Sequence, residues 1–171
     1  MQNMLAQIPI GAVIGACVVI LGWFFNTWRE REYRRRLRRE KTRDYQETLY
    51  AEIRAYVAAL SHDSLDEYGA ASVANMHADA DFIPFIPLES NDTVFQSLVK
   101  DIHILPRQCL DSIVLYYSQL RAIELLISDL RSDTFDTLAK SRQIAMYQDY
   151  IEMKKEALNM GNSALRMMEN T

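Results

Sequence analysis

CLDSIVLYYSQLRAIELLISDL, residues 109–130, is the stretch on which the fold turns. Fourteen of its twenty-two residues are apolar, yet Asp111, Arg121, Glu124 and Asp129 interrupt it. Four charges are too many for a bilayer core, and no apolar–polar alternation suggests a strand. The stretch therefore reads as the most buried helix of a helical bundle. Just upstream, Val94, Phe95, Leu98, Ile102 and Leu105 form another helical stripe, with Ser90, Asn91 or Asp92 as its cap. Pro106 between the two marks a kink or a fresh start.

Downstream, Ser132 or Asp133 is placed to cap a last helix over residues 134–168. It carries two heptad-spaced stripes. Ile144, Ile151, Leu158 and Leu165 form one. Met146, Met153, Met160 and Met167 form the other, with Tyr150, Ala157 and Ala164 beside them. At 100° per residue the stripes lie on different faces, so the helix either sits between two neighbours or offers one face to another chain. The candidate partner face is Met146, Tyr150, Met153, Met160 and Met167, since flexible thioethers suit both core gaps and adaptable surfaces.

Toward the N-terminus the regularity breaks. Residues 82–88, FIPFIPL, carry Pro84 and Pro87, which remove backbone donors and push their predecessors to extended geometry. This is an apolar strap. Ser64 to Glu67 has capping-box spacing and predicts a short helix toward His77. Before it, Tyr45, Leu49, Ile53, Tyr56, Val57 and Leu60 define one helix face, with no Gly or Pro between Asn26 and Leu60. Segments 29–60, 92–130 and 134–168 have matching lengths of about 48–58 Å as helices. The expected fold is all-α: an N-terminal transmembrane helix, then an elongated up-down-up bundle of about three long helices.

Charge is divided along the chain. Residues 1–28 have no charged side chain, residues 29–43 carry nine basic and three acidic groups, and residues 44–171 carry ten basic and twenty acidic groups. The expected organisation is a transmembrane anchor at 1–28, a basic juxtamembrane helix at 29–43 and a cytoplasmic helical bundle at 44–171. Residues 4–25, MLAQIPIGAVIGACVVILGWFF, would span about 33 Å as a helix, enough for a bilayer core of about 30 Å. Trp23 and Trp28 stand where an aromatic belt belongs. A cleaved leader lacks its basic start here, and a lipid-modified Cys17 would not be followed by eight more apolar residues. Gly11 and Gly15 give a GxxxG spacing that could pair two anchors.

Arg29, Arg31, Arg34, Arg35, Arg36, Arg38, Arg39, Lys41 and Arg43 follow directly. By the positive-inside rule they leave the N-terminus outside and the C-terminal part in the cytoplasm, against anionic lipid headgroups, as at a bacterial inner membrane. Nucleic acid would need the same charge. Glu30, Glu32 and Glu40 dilute it, however, and the neighbouring anchor supplies a simpler reason.

Chemistry is sparse. None of the three histidines has a Glu three residues before it, which excludes a di-iron bundle motif. His62, Asp66, His77, Asp79 and Asp81 form the one His/carboxylate cluster that could hold a divalent metal, at no established ligand spacing. Cys109 lies in an apolar stretch and reads as an inert buried thiol. No nucleophile triad, phosphate loop or dinucleotide fingerprint is present, so no cofactor is expected. The expectation is a non-enzymatic scaffold, accessory subunit or regulator at the cytoplasmic face, partnered by the membrane and by a second copy or another membrane protein. The alternative is a metal-dependent sensor or enzyme using residues 62–81.

Overall fold

The computed structural model describes residues 10–62 and 64–170, with side chains from Val19 onward except that of His62. It is helical, with no strand among the described residues. The elements are α1 (Ile10–His62), α2 (Leu65–Ala78), α3 (Thr93–Leu98), a 3-10 helix (Val99–Ile104), α4 (Arg107–Leu130), α5 (Asp133–Asp136) and α6 (Lys140–Glu169). The chain divides into two compact units, residues 1–43 and 44–171. No helix among the described residues is long and apolar enough to cross a membrane. Of the anchor expected at 4–25, residues 4–9 fall outside the described residues, and from 10 to 18, which includes Gly11, Gly15 and Cys17, only the helical backbone is described.

In the unit 44–171 the core is continuous. Leu49, Ile53, Val57 and Leu60 of α1 meet Cys109, Ile113, Tyr116, Leu120, Ile123 and Ile127 of α4, and Ile144, Tyr147, Ile151, Ala157 and Ala164 of α6. Cross-element contacts fix the direction of each element. Gln46 reaches Cys109 and Glu52 reaches Tyr117, so α1 and α4 run parallel. Tyr50 bonds Glu169 and Val57 abuts Gly161, so α6 runs antiparallel to α1. Asp66 pairs with Lys155 and Gly69 abuts Ile151, so α2 continues in the direction of α1 along the upper part of α6. An α6 of about 45 Å thus needs two helices to cover it, α1 below and α2 above.

The expected order up-down-up is corrected to up-down-up-down. The descending second column is residues 79–105, not a full rod over 92–130. Glu52 meets Val94 and Phe95, and Tyr45 meets Asp101, so this segment runs down along α1 as strap, α3 and 3-10 helix. The chain then reverses at Leu105 and Pro106. Proline has no N–H for the preceding turn and forces Leu105 into extended backbone (ψ 148°), so the helix cannot pass through.

The start of the last helix is also corrected. Ser132 does cap a helix, its Oγ accepting from Phe135 N, but that helix is the four-residue α5. α6 begins at Lys140, because the chain turns at Thr137–Ala139 to bury Phe135 beneath Gln143, whose Nε2 donates to Phe135 O at 2.9 Å. α2 spans the predicted range, although the Ser64 side chain makes no cap bond.

Two glycines mark the closest approaches. A Cβ at Gly161 would lie 2.5 Å from Val57 Cγ2 and 3.0 Å from Tyr116 Cε2. With Ala157 and Ala164, also fully buried, it forms the small-residue seam on which α1, α4 and α6 converge. At Gly69 the same atom would meet only the side chain of Ile151, 3.0 Å away.

Candidate interaction site: the strap and its polar anchors

The strap is extended for the reason its prolines predict, and its side chains alternate. Pro84 and Ile86 are buried, while Ile83, Phe85 and Leu88 are 44%, 77% and 73% exposed. An extended segment without ladder partners must satisfy its backbone by other means. Here long-range side chains do so. Lys140 Nζ donates to Ala80 O at 2.9 Å and Phe82 O at 2.7 Å, and an Arg131 guanidinium N donates to Ile86 O at 2.6 Å.

Glu89 ends the strap as a fixed carboxylate. Lys154 Nζ donates to its Oε1 at 2.6 Å, Tyr150 Oη donates to the same oxygen at 3.3 Å, and Tyr56 Oη donates to Oε2. The Lys154 and Glu89 side chains retain only 12% and 16% of their exposure, so this is a largely buried pair. Lys154 also donates to Tyr150 Oη at 3.2 Å and lies 5.2 Å from that ring's centroid. Burial, followed by donation to Glu89, pushes the Tyr56 phenol far above its ordinary range; burial and the nearby Glu89 charge do the same to Tyr150.

A second carboxylate anchors the next turn. Glu52 of α1 accepts from Val94 N (2.6 Å), Phe95 N (3.1 Å) and Tyr117 Oη (2.6 Å). It does for α3 what the local cap residue does not: Asp92 makes no cap bond. Phe95 stacks on Tyr117 at 3.9 Å, and burial with donation to Glu52 raises the Tyr117 phenol well above its usual range. Deeper still, Tyr116 Oη and Tyr147 Oη have no hydrogen-bond partner among the described residues. Burial raises both, Tyr147 to about 12; Ser72 and Tyr68 neighbour the latter outside bonding geometry.

Between α2, the strap and α6 lies a cleft of about 560 Å³. Its lining combines the aromatic Tyr68 and Phe85, the apolar Leu65 and Ile151, and the polar Tyr150 and Lys154.

The residues singled out from sequence are distributed otherwise. The nine basic residues of 29–43 are exposed on α1, with Arg34 paired to Glu30 and Arg36 to Glu32 at i,i+4 spacing. That pairing lowers the Glu30 carboxyl and raises Arg34. The metal candidates do not converge among the described residues, where no group of three or more His, Cys, Asp or Glu could hold an ion. Asp66 pairs with Lys155, Asp79 Oδ1 accepts from Asp81 N at 2.9 Å, and His77 is exposed at the end of α2. The side chain of His62 lies outside the described residues.

On α6, Tyr150 is buried, Met146, Met153 and Met160 are half-buried against the core, and Met167 is 45% exposed. The buried methionine of this end is the neighbouring Met168. Cys109 is buried and its thiol is raised by desolvation. Glu52, Glu89 and Lys154 were not anticipated. The available signal was a charge on an apolar stripe: Glu52 lies three after Leu49 and four before Tyr56, and Lys154 three after Ile151 and four before Leu158.

Comparison with protein-family models, curated proteins and solved structures returns no match.

Proposed function

We propose that this chain is a membrane-anchored, non-enzymatic module that presents the strap of its helical unit to a protein partner at the cytoplasmic face. One observation carries the reading. Ile83, Phe85 and Leu88 stand exposed on a segment held by Lys140, Arg131 and the Glu89 cluster. Large apolar side chains on a held extended segment form a pre-ordered docking strip, because little entropy remains to be lost on binding. The apolar run at 4–25 and the nine basic residues after it support anchoring with the helical unit inside. Acidic groups at Asp79, Asp81 and Asp92 flank the strip and favour a partner with basic residues around an apolar patch.

The reading is tested by photo-crosslinking in native membranes, with a benzophenone amino acid at position 85 and, as control, at exposed Leu115 on α4. A discrete adduct from position 85, lost when Ile83 and Leu88 are both changed to Ser while the melting temperature holds, is the expected result. Equal adducts from both positions, or none from position 85, refute the docking strip.

A further inference from the structure

The cleft beside the strap has the makings of a small-molecule site, and the chemistry of its lining selects the ligand class. At about 560 Å³ it falls within the range of ligand pockets, about 300–1,000 Å³. Two aromatic rings of its lining stand largely in water, Tyr68 at 53% and Phe85 at 77% exposure. Rings so placed favour a flat body between or against them.

The polar lining discriminates by charge. The Lys154 ammonium carries three donors; Glu89 Oε1 and Tyr150 Oη take two, which leaves one N–H on a side chain that lines the cleft. Its charge is already balanced by Glu89, Glu67 adds a negative group to the lining, and the surrounding unit holds twenty acidic against ten basic residues. An anion therefore gains no net attraction. A cation would meet the Lys154 ammonium, which is hydrogen-bonded to Tyr150 Oη at the same lining. What remains is an uncharged acceptor. We propose that this cleft binds a planar, uncharged ring compound bearing a carbonyl, with the ring between Tyr68 and Phe85 and the carbonyl oxygen accepting from Lys154. The proposal shares Phe85 with the docking strip but not Tyr68, Tyr150 or Lys154, so Tyr68→Ala separates the two readings.

Four probes with one ring separate the alternatives: 4-fluorobenzamide, 4-fluorobenzoate, 4-fluorobenzylammonium and 4-fluorotoluene. Each is titrated to about 1 mM into the full chain and followed by fluorine NMR line broadening, a range suited to fragments of this size. The cleft-specific signal is the part removed by Phe85→Ala or Tyr68→Ala, both at exposed side chains whose loss leaves the core intact. The amide should bind, with the other three weaker by about tenfold and each variant weakening the amide by a similar factor. Benzoate or benzylammonium binding as tightly as the amide, fluorotoluene matching it, amide broadening that survives both variants, or no amide broadening at all would each overturn the proposal.

Discussion

At the scale of single residues, the helical unit depends on charged groups placed on apolar faces. Glu52 is the clearest case. It supplies the only acceptors described for Val94 N and Phe95 N at the start of α3, and it receives the Tyr117 hydroxyl. Glu52→Ala leaves two backbone donors and a phenol without a partner, at a cost of about 1–3 kcal/mol for each group that water does not reach. A loss of about 3 kcal/mol in urea denaturation is the expected outcome. Glu52→Gln keeps one carbonyl oxygen at the site and should lose about half as much. If the alanine variant were as stable as the parent, α3 would owe nothing to this carboxylate. Such residues were legible only as anomalies, because sequence periodicity registers a charge on a stripe without showing what it caps. The seam glycine makes a second, opposite case. Gly161→Ala gains helix propensity of about 1 kcal/mol but drives a methyl into Val57 and Tyr116, where overpacking costs about 1–3. It should destabilise by about 1–2 kcal/mol, with recovery when Val57 is also changed to Ala. Gly69→Ala meets only the Ile151 side chain and should be near neutral; the two midpoints in urea, measured side by side, check the contrast.

At the scale of elements, the sequence was informative wherever one face of one helix decides the matter. The α1 stripe, the buried face of α4, the extent of α2 and the extended strap all follow from periodicity and from proline chemistry. What periodicity cannot show is where a column reverses. Val94, Phe95, Leu98 and Ile102 share a helical spacing with the residues beyond Pro106, so 92–130 reads as one rod; in space the two halves run in opposite directions. Pro106 was visible, but proline alone does not distinguish a kink from a reversal. The missed start of α6 has the same origin. Ser132 is a true N-cap, and a cap signal carries no information on how many turns follow it. Several residues of the cleft, such as Tyr150, Ile151 and Pro87, belong to patterns with other readings, but the cleft itself is not legible, since Tyr68, Phe85 and Lys154 come from three elements that no local pattern joins.

At the scale of the whole molecule, pH acts on the helical unit, and under the proposed anchoring the membrane acts on the N-terminal segment. Five core tyrosines, Tyr56, Tyr116, Tyr117, Tyr147 and Tyr150, all have phenols raised, chiefly by burial. A raised folded-state value favours the neutral phenol in the native state. The associated stability is present in full below the unfolded value of about 10 and is lost as pH climbs above it. Absorbance at 295 nm should therefore show a step of five phenolates coincident with loss of helical circular dichroism; the same five appearing while helicity persists would contradict their burial. Under the proposed anchoring, orientation is governed by charge placement instead. Nine basic groups within fifteen residues of Trp28, against three acidic ones, give a bias that the acidic helical unit cannot offset, because carboxylates contribute little to the positive-inside rule. A C-terminal reporter active only in the cytoplasm should work on the native chain, and an export-dependent reporter should stay silent. Replacing Arg29, Arg31, Arg34, Arg35, Arg36 and Arg38 with Gln leaves three basic groups, at the far end of the segment. Both reporters should then register, as a mixed population of orientations. An unchanged single orientation in that variant would show that the basic run does not set the topology and would leave its nine exposed side chains to headgroup binding alone.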